Sequence, residues 1–104
     1  MNRRLTIRAE AEADIAESAM WYESRESGLG NEFVNEVRDA IRRISARPLS
    51  YLRIRKDPAV HRSLVRRFPY RVFFILRIDA IVVFAILHGA RHDRHWRKRA
   101  RGTV

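Results

Sequence analysis

Cysteine is absent from this 104-residue sequence, which excludes disulfides and thiolate metal sites together. Glycine (four) and proline (three) are scarce. With 46% hydrophobic residues and ten aromatics, the composition is that of a packed domain and not of a disordered chain. Long apolar runs are missing too. The longest, residues 81–87, is seven residues, well short of the roughly 20 that a membrane-spanning helix needs. No apolar stretch follows the charged start Met1-Asn2-Arg3-Arg4-Leu5, so no signal peptide is expected and the expected location is the cytoplasm. The length suits one core, so residues 1–104 are expected to form a single domain with a basic tail from about residue 97 to 104.

What the chain has in quantity is charge, and it is unevenly placed. The formal net charge is +10. Residues 9–39 carry nine acids and two arginines, for −7, while the remainder carries twenty Lys/Arg and three acids, for +17. Solubility is served by scattered charge. A contrast this sharp between segments points instead to a polyanionic surface as the target of the basic part: RNA, DNA, or an acidic protein.

Periodicity orders the chain. Leu5-Thr6-Ile7 alternates like a short strand. From Ala9 the period lengthens, and Ala11, Ile15, Ala19 and Tyr22 recur at helical steps among acids. Of the adjacent Trp21 and Tyr22, only Tyr22 fits that core stripe. Gly28-Leu29-Gly30 interrupts the helix, and a second is expected from Asn31-Glu32, with a stripe of Phe33, Val37 and Ile44. Arg42, Arg43 and Arg47 suit its C-terminal dipole, and Pro48 ends it. Residues 49–61 show no clear period. Strand-like runs follow at 61–67, 70–78 and 81–88, the last two joined by a tight turn at Asp79-Ala80 or a loop one or two residues longer.

The expected fold class is α+β, in the order β-α-α-β-β-β, with a helical hairpin packed on one face of a small antiparallel sheet. Val72, Phe74, Leu76 and Ile78 would face the helices. Phe73 and Ile75 would point the other way, and one helical layer cannot cover both faces. Either Tyr51, Leu52 and Trp96 fold back over that surface, or a partner takes it.

These segments carry a resemblance. Ala13-Asp14-Ile15-Ala16, Trp21-Tyr22-Glu23, Gly28-Leu29-Gly30 and Phe33 resemble the helical hairpin of the RelE/ParE toxins. So do the stretch Arg66-Arg67-Phe68-Pro69-Tyr70-Arg71-Val72 and the strand 83–88 with Gly89 and Arg91. The pieces occur in the family's order and span roughly residues 5–96. The resemblance implies a type II toxin of that fold, held in a hetero-oligomer by a ParD- or RelB-like antitoxin. It leaves the target open between DNA gyrase, inhibited by ParE-like members that are not enzymes, and the ribosome, where RelE-like members cut mRNA. The Trp-Tyr-Glu, Phe-Pro-Tyr and His-Gly-Ala-Arg stretches are more similar to the ParE branch of plasmid stabilisation proteins. No cofactor, metal or membrane is implied.

Chemistry weighs the two targets. Cleavage by a 2′-hydroxyl needs a base, cations for the phosphorane charge and an acid for the leaving oxygen. The resemblance puts Arg71 and Arg91 where RelE-like enzymes keep arginines, and Arg62 at one of two upstream lysines. Leu64 falls where the second lysine is expected, and no tyrosine follows Arg91. Arginine clamps phosphate but stays protonated, so it makes a poor base. His92 and His95 can titrate near neutrality and keep the enzyme alternative open. Phosphate clamps are kept while proton carriers are depleted, which favours gyrase inhibition, with a ribosome-dependent endoribonuclease as the alternative. If the chain is a ribonuclease, the catalytic candidates are Arg62, Arg71, Arg91, His92 and His95. Target or phosphate contacts are expected from Arg62, Arg66, Arg67, Arg71, Arg91 and Trp96, and antitoxin contacts from Arg71, Phe73 and Ile75. His88 is expected as a core histidine bonded to backbone, and Phe68-Pro69-Tyr70 as architecture.

Overall fold

A computed structural model describes residues 3–89 and 93–103. Strand β1 (Arg4–Ile7) leads into helices α1 (Ala9–Arg25) and α2 (Leu29–Ala46). A single 3-10 turn (Pro48–Ser50) precedes strands β2 (Leu52–Arg55), β3 (Val60–Leu64), β4 (Tyr70–Leu76) and β5 (Ala80–His88), and helix α3 (Asp93–Thr103) follows. The five strands form one sheet in the order β1-β5-β4-β3-β2. Strands β2 to β5 pair antiparallel, whereas β1 lies parallel to β5. The α+β class and the hairpin on one face are as expected. The sheet, expected to be antiparallel, has in β1 a parallel edge strand, because the chain crosses over through the helical hairpin between β1 and the other strands.

The helix hairpin turns in very little space. Gly28 sits at φ 90°, a left-handed conformation that glycine adopts without a Cβ penalty. The Glu23 carboxylate accepts hydrogen bonds from the amides of Gly28 (3.0 Å) and Gly30 (3.0 Å), anchoring the start of α2 with negative charge where the helix dipole favours it. The helix therefore begins two residues earlier than Asn31, with Gly30 inside it. At Gly30 a Cβ would lie 2.6 Å from the Ala19 carbonyl oxygen of α1, so the absent side chain sets how closely the helices approach.

The first core layer lies between this hairpin and the sheet. Phe33, Val37 and Ile44 of α2 meet Val72, Phe74, Val83 and Ile86, all essentially buried. Burying each such side chain stabilises the fold by about 1.5–3 kcal/mol. Tyr22 stacks on Phe33 (5.3 Å) and meets Phe68 and Tyr70 edge-on, while Trp21 stays half exposed under the Arg25 guanidinium, as the helical stripe required.

Four further expectations change. Residues 52–55 form β2, whose Leu-Arg-Ile-Arg alternation was hidden by its shortness and by flanking charge. The β4–β5 loop is residues 77–79, so Ile78 lies in the turn at 79% exposure and not over the helices. His61 is buried, stacked on Phe74 with Nδ1 3.1 Å from the Tyr51 carbonyl oxygen, while His88 is exposed and edge-on to Tyr70. Residues 97–103 of the basic stretch read as a tail belong to helix α3.

Candidate functional site

Strand alternation and pairing decide which side chains share the face opposite the helical hairpin. Arg62 pairs with both Leu52 and Phe73, and Leu64 pairs with Arg71, which in turn pairs with Leu87. This face is a second core at one end and a cationic surface at the other. At the core end, Phe73, Ile75, Phe84, Ala85 and Leu87 are buried beneath Trp96 and Ala100 of α3. Trp96 lies flat on Phe73, with centroids 5.9 Å apart and planes at 15°.

Of the two readings left open for this face, the structure has Trp96 folded back over it, which changes the setting of three candidate residues. Phe73 (6% exposed) and Ile75 (1%) are not an open docking surface, because α3 already covers them. Trp96 is the covering residue, 5% exposed, and so cannot stack on a base of a target. The sequence did carry a signal for this: Trp96 and Ala100 are one helical turn apart in an otherwise basic segment.

Asp14 fixes the position of α3. Its Oδ2 accepts from the Ile86 amide (2.9 Å) and from Arg99 Nη1 (2.5 Å), while its Oδ1 accepts from Arg99 Nη2 (3.0 Å). One carboxylate thus joins α1, β5 and α3. The hydrogen bonds to Asp14 hold the Arg99 guanidinium protonated even more firmly than usual, against the opposing effect of burial. Beside this knot a cleft of about 200 Å³ is lined by Glu17, Ser18, Tyr70, His88, His95 and Arg99 among others. His95 therefore lies in a cleft on the helix side of Tyr70.

The uncovered end of the sheet face presents Leu52 (58% exposed), Leu64 (62%) and the half-buried Arg62 and Arg71. Leu64, Val65, Phe68, Pro69, Tyr70, Arg71 and Gly89 enclose a mainly apolar groove of about 290 Å³. Arg71 forms part of its wall, and its Nε is buried without a hydrogen-bond partner. Its guanidinium lies where a side chain at residue 89 would be, 2.7 Å from the position of a Cβ there, so Gly89 gives it room. The Phe68-Pro69-Tyr70 corner frames the groove: the Val65 amide donates to the Tyr70 carbonyl (2.9 Å) and the Gly89 amide to that of Pro69 (2.6 Å).

The remaining candidates separate. Arg66 is exposed beside this corner. Arg67 is tied back to α2, with Nη2 2.6 Å from Glu32 and Nη1 3.6 Å from Glu36, and its hydrogen bond to Glu32 raises its pKa further. Arg67 is thus a tether between the β3–β4 loop and α2. Arg91 and His92 lie outside the described residues. The groove and the Asp14–Arg99 knot are absent from the sequence reading, since each joins residues far apart in the chain. Among the described residues there is no group of His, Asp or Glu that would hold a metal, and no helix is long and apolar enough to cross a membrane.

The molecule is thus a small α+β domain with part of one sheet face sealed by a helix and a cationic, partly apolar strip left open beside it. The ParE toxin model, described as the toxin of the type II toxin–antitoxin system parDE, matches residues 5–93, and the chain belongs to that family. Among solved structures it is similar to a chain titled "Chromosomal ParDE TA system from P. aeruginosa", at 17% identity and a TM-score of 0.71, over 83% of this chain and 95% of that one. At that identity the likeness shows the fold. No curated protein sequence matches the chain.

Proposed function

We propose that this ParE-family toxin acts by binding DNA gyrase and not by cutting RNA, and that a ParD-like antitoxin silences it in a hetero-oligomer. The observation that carries the gyrase reading is the make-up of the open sheet strip. It offers Arg62 and Arg71 as clamps, but Leu64 stands between them in register, exposed and unable to move a proton. Trp96, the aromatic after the last strand, is buried. Positive charge without a base holds an acidic surface but does not activate a 2′-hydroxyl. The groove suits the antitoxin: an apolar side chain flanked by a carboxylate would fill the space beside Leu64 and Phe68 and satisfy the Arg71 guanidinium.

The test is a supercoiling assay with purified toxin, run beside ribosomes programmed with mRNA. Supercoiling should stop at excess toxin, and the mRNA should remain whole. Normal supercoiling removes the gyrase reading. Cut mRNA instead supports the ribonuclease alternative, for which His92 and His95 are the acid–base candidates, His95 lying in the cleft beside Tyr70. Leu64→Asp and Arg71→Ala should each weaken capture by the antitoxin by tenfold or more (about 1.4 kcal/mol); unchanged capture places the antitoxin elsewhere.

A further inference from the structure

Helix α3 does more than cover the sheet. At roughly 100° per residue, Trp96 and Ala100 point inward with Arg99 beside them, as their contacts show. Arg94, Lys98 and Arg101 then fall within an arc of about 60° on the far side, along roughly 10 Å of helix. All three are exposed, while Arg97, beside this row, lies over the Trp96 ring; the one acid in the sequence of α3 is Asp93 at its first position. The Trp96–Phe73 stack and the Asp14–Arg99 fork fix the rotation of α3 about its axis, so this row has a set direction. Arg62 lies on the same side of the molecule, its strand position paired with that of Phe73.

The row is costly for the helix that carries it. Like charges three and four residues apart repel one another and destabilise a helix. Arg101 suits the C-terminal end of the dipole, but Arg94 sits in the first turn, where the dipole favours anions. Helix stability therefore does not account for Arg94, Lys98 and Arg101, and a negatively charged surface laid against them does.

We propose that the outer face of α3 binds the phosphate backbone of duplex DNA, independently of sequence. Charge complementarity and shape choose this occupant. A rigid row of point charges can neutralise successive phosphates along a duplex groove edge. Single strands are held chiefly by stacking on exposed aromatics, and the aromatic of α3 is buried. An acidic protein segment would gain only screened surface ion pairs, because the outer face of α3 has no exposed apolar anchor among the described residues. The proposal goes beyond gyrase binding and stands whether or not gyrase is the target.

The experiment is fluorescence anisotropy of antitoxin-free toxin with a labelled duplex of arbitrary sequence, about two turns long, across a salt series. Three phosphate contacts give a log–log slope of about −2.7, so affinity should fall roughly fortyfold between 50 and 200 mM salt. The triple change Arg94→Gln, Lys98→Gln, Arg101→Gln should bring the slope close to zero. Arg38→Gln on α2 should leave it unchanged. Arg94→Lys with Arg101→Lys should retain binding, which separates lost charge from a disturbed helix. A slope that survives the triple change overturns the proposal. So does preference for single-stranded DNA, duplex RNA or polyglutamate over duplex DNA.

Discussion

Arg99 and Asp14 are separated by 85 positions, yet they meet in a two-pronged fork whose carboxylate also accepts the Ile86 amide. The pair is largely shielded, with side chains 30% and 14% exposed. Removing either partner strands the other in a part-buried place, where a charge-assisted hydrogen bond is worth about 1.5–3 kcal/mol. Asp14→Ala and Arg99→Met should each lower unfolding stability by about 2 kcal/mol. A double-mutant cycle in urea should return a coupling on the order of 1 kcal/mol, and strictly additive effects would refute the fork.

Trp96→Ala should be the most damaging change in α3. It removes the ring stacked on Phe73 and uncovers Ile75 and Leu87, at a cost of about 3–5 kcal/mol. Trp96→Phe should keep most of that. Amide exchange should show α3 opening in the alanine variant while the β4–β5 pairing stays protected.

Two glycines should respond with opposite signs. Gly30→Ala places a methyl against the Ala19 carbonyl and should cost about 1–3 kcal/mol as α1 and α2 move apart. Gly102→Ala meets nothing within 4 Å and should stabilise α3 by about 0.5–1 kcal/mol. Thermal melts of the two variants, moving down and up respectively, are the check.

Tyr22 sets an alkaline limit. Burial, and then its neighbour Tyr70, raise its phenol pKa above the ordinary value. The folded state therefore favours the neutral ring. That stability is complete below the unfolded pKa of about 10 and is lost as pH rises through the folded pKa. Phenolate absorbance should show one tyrosine ionising late, and Tyr22→Phe should flatten the alkaline loss of stability.

The helical hairpin was legible because α1 and α2 repeat apolar residues at helical steps, and Gly28 and Pro48 mark their ends. Strand β2 and helix α3 were not, because both are short and dominated by arginine, so their apolar residues are too few to set a period. Of the site residues, Arg62 and Arg71 lie on an open strip, whereas Trp96 folds back over Phe73 and Ile75, one of the two arrangements that the sequence left open for this face.

The sequence by itself determined the α+β class, the toxin family and the division of charge, because local periodicity and motif order need no distant contact. Only the tertiary structure decided which cations are available. Arg67 folds back on Glu32, Arg99 is taken by Asp14, and Arg94, Lys98 and Arg101 face outward. The chain writes all of them as the same kind of residue. What distinguishes them is whether a carboxylate lies within reach, and that depends on the packing of elements far apart in sequence.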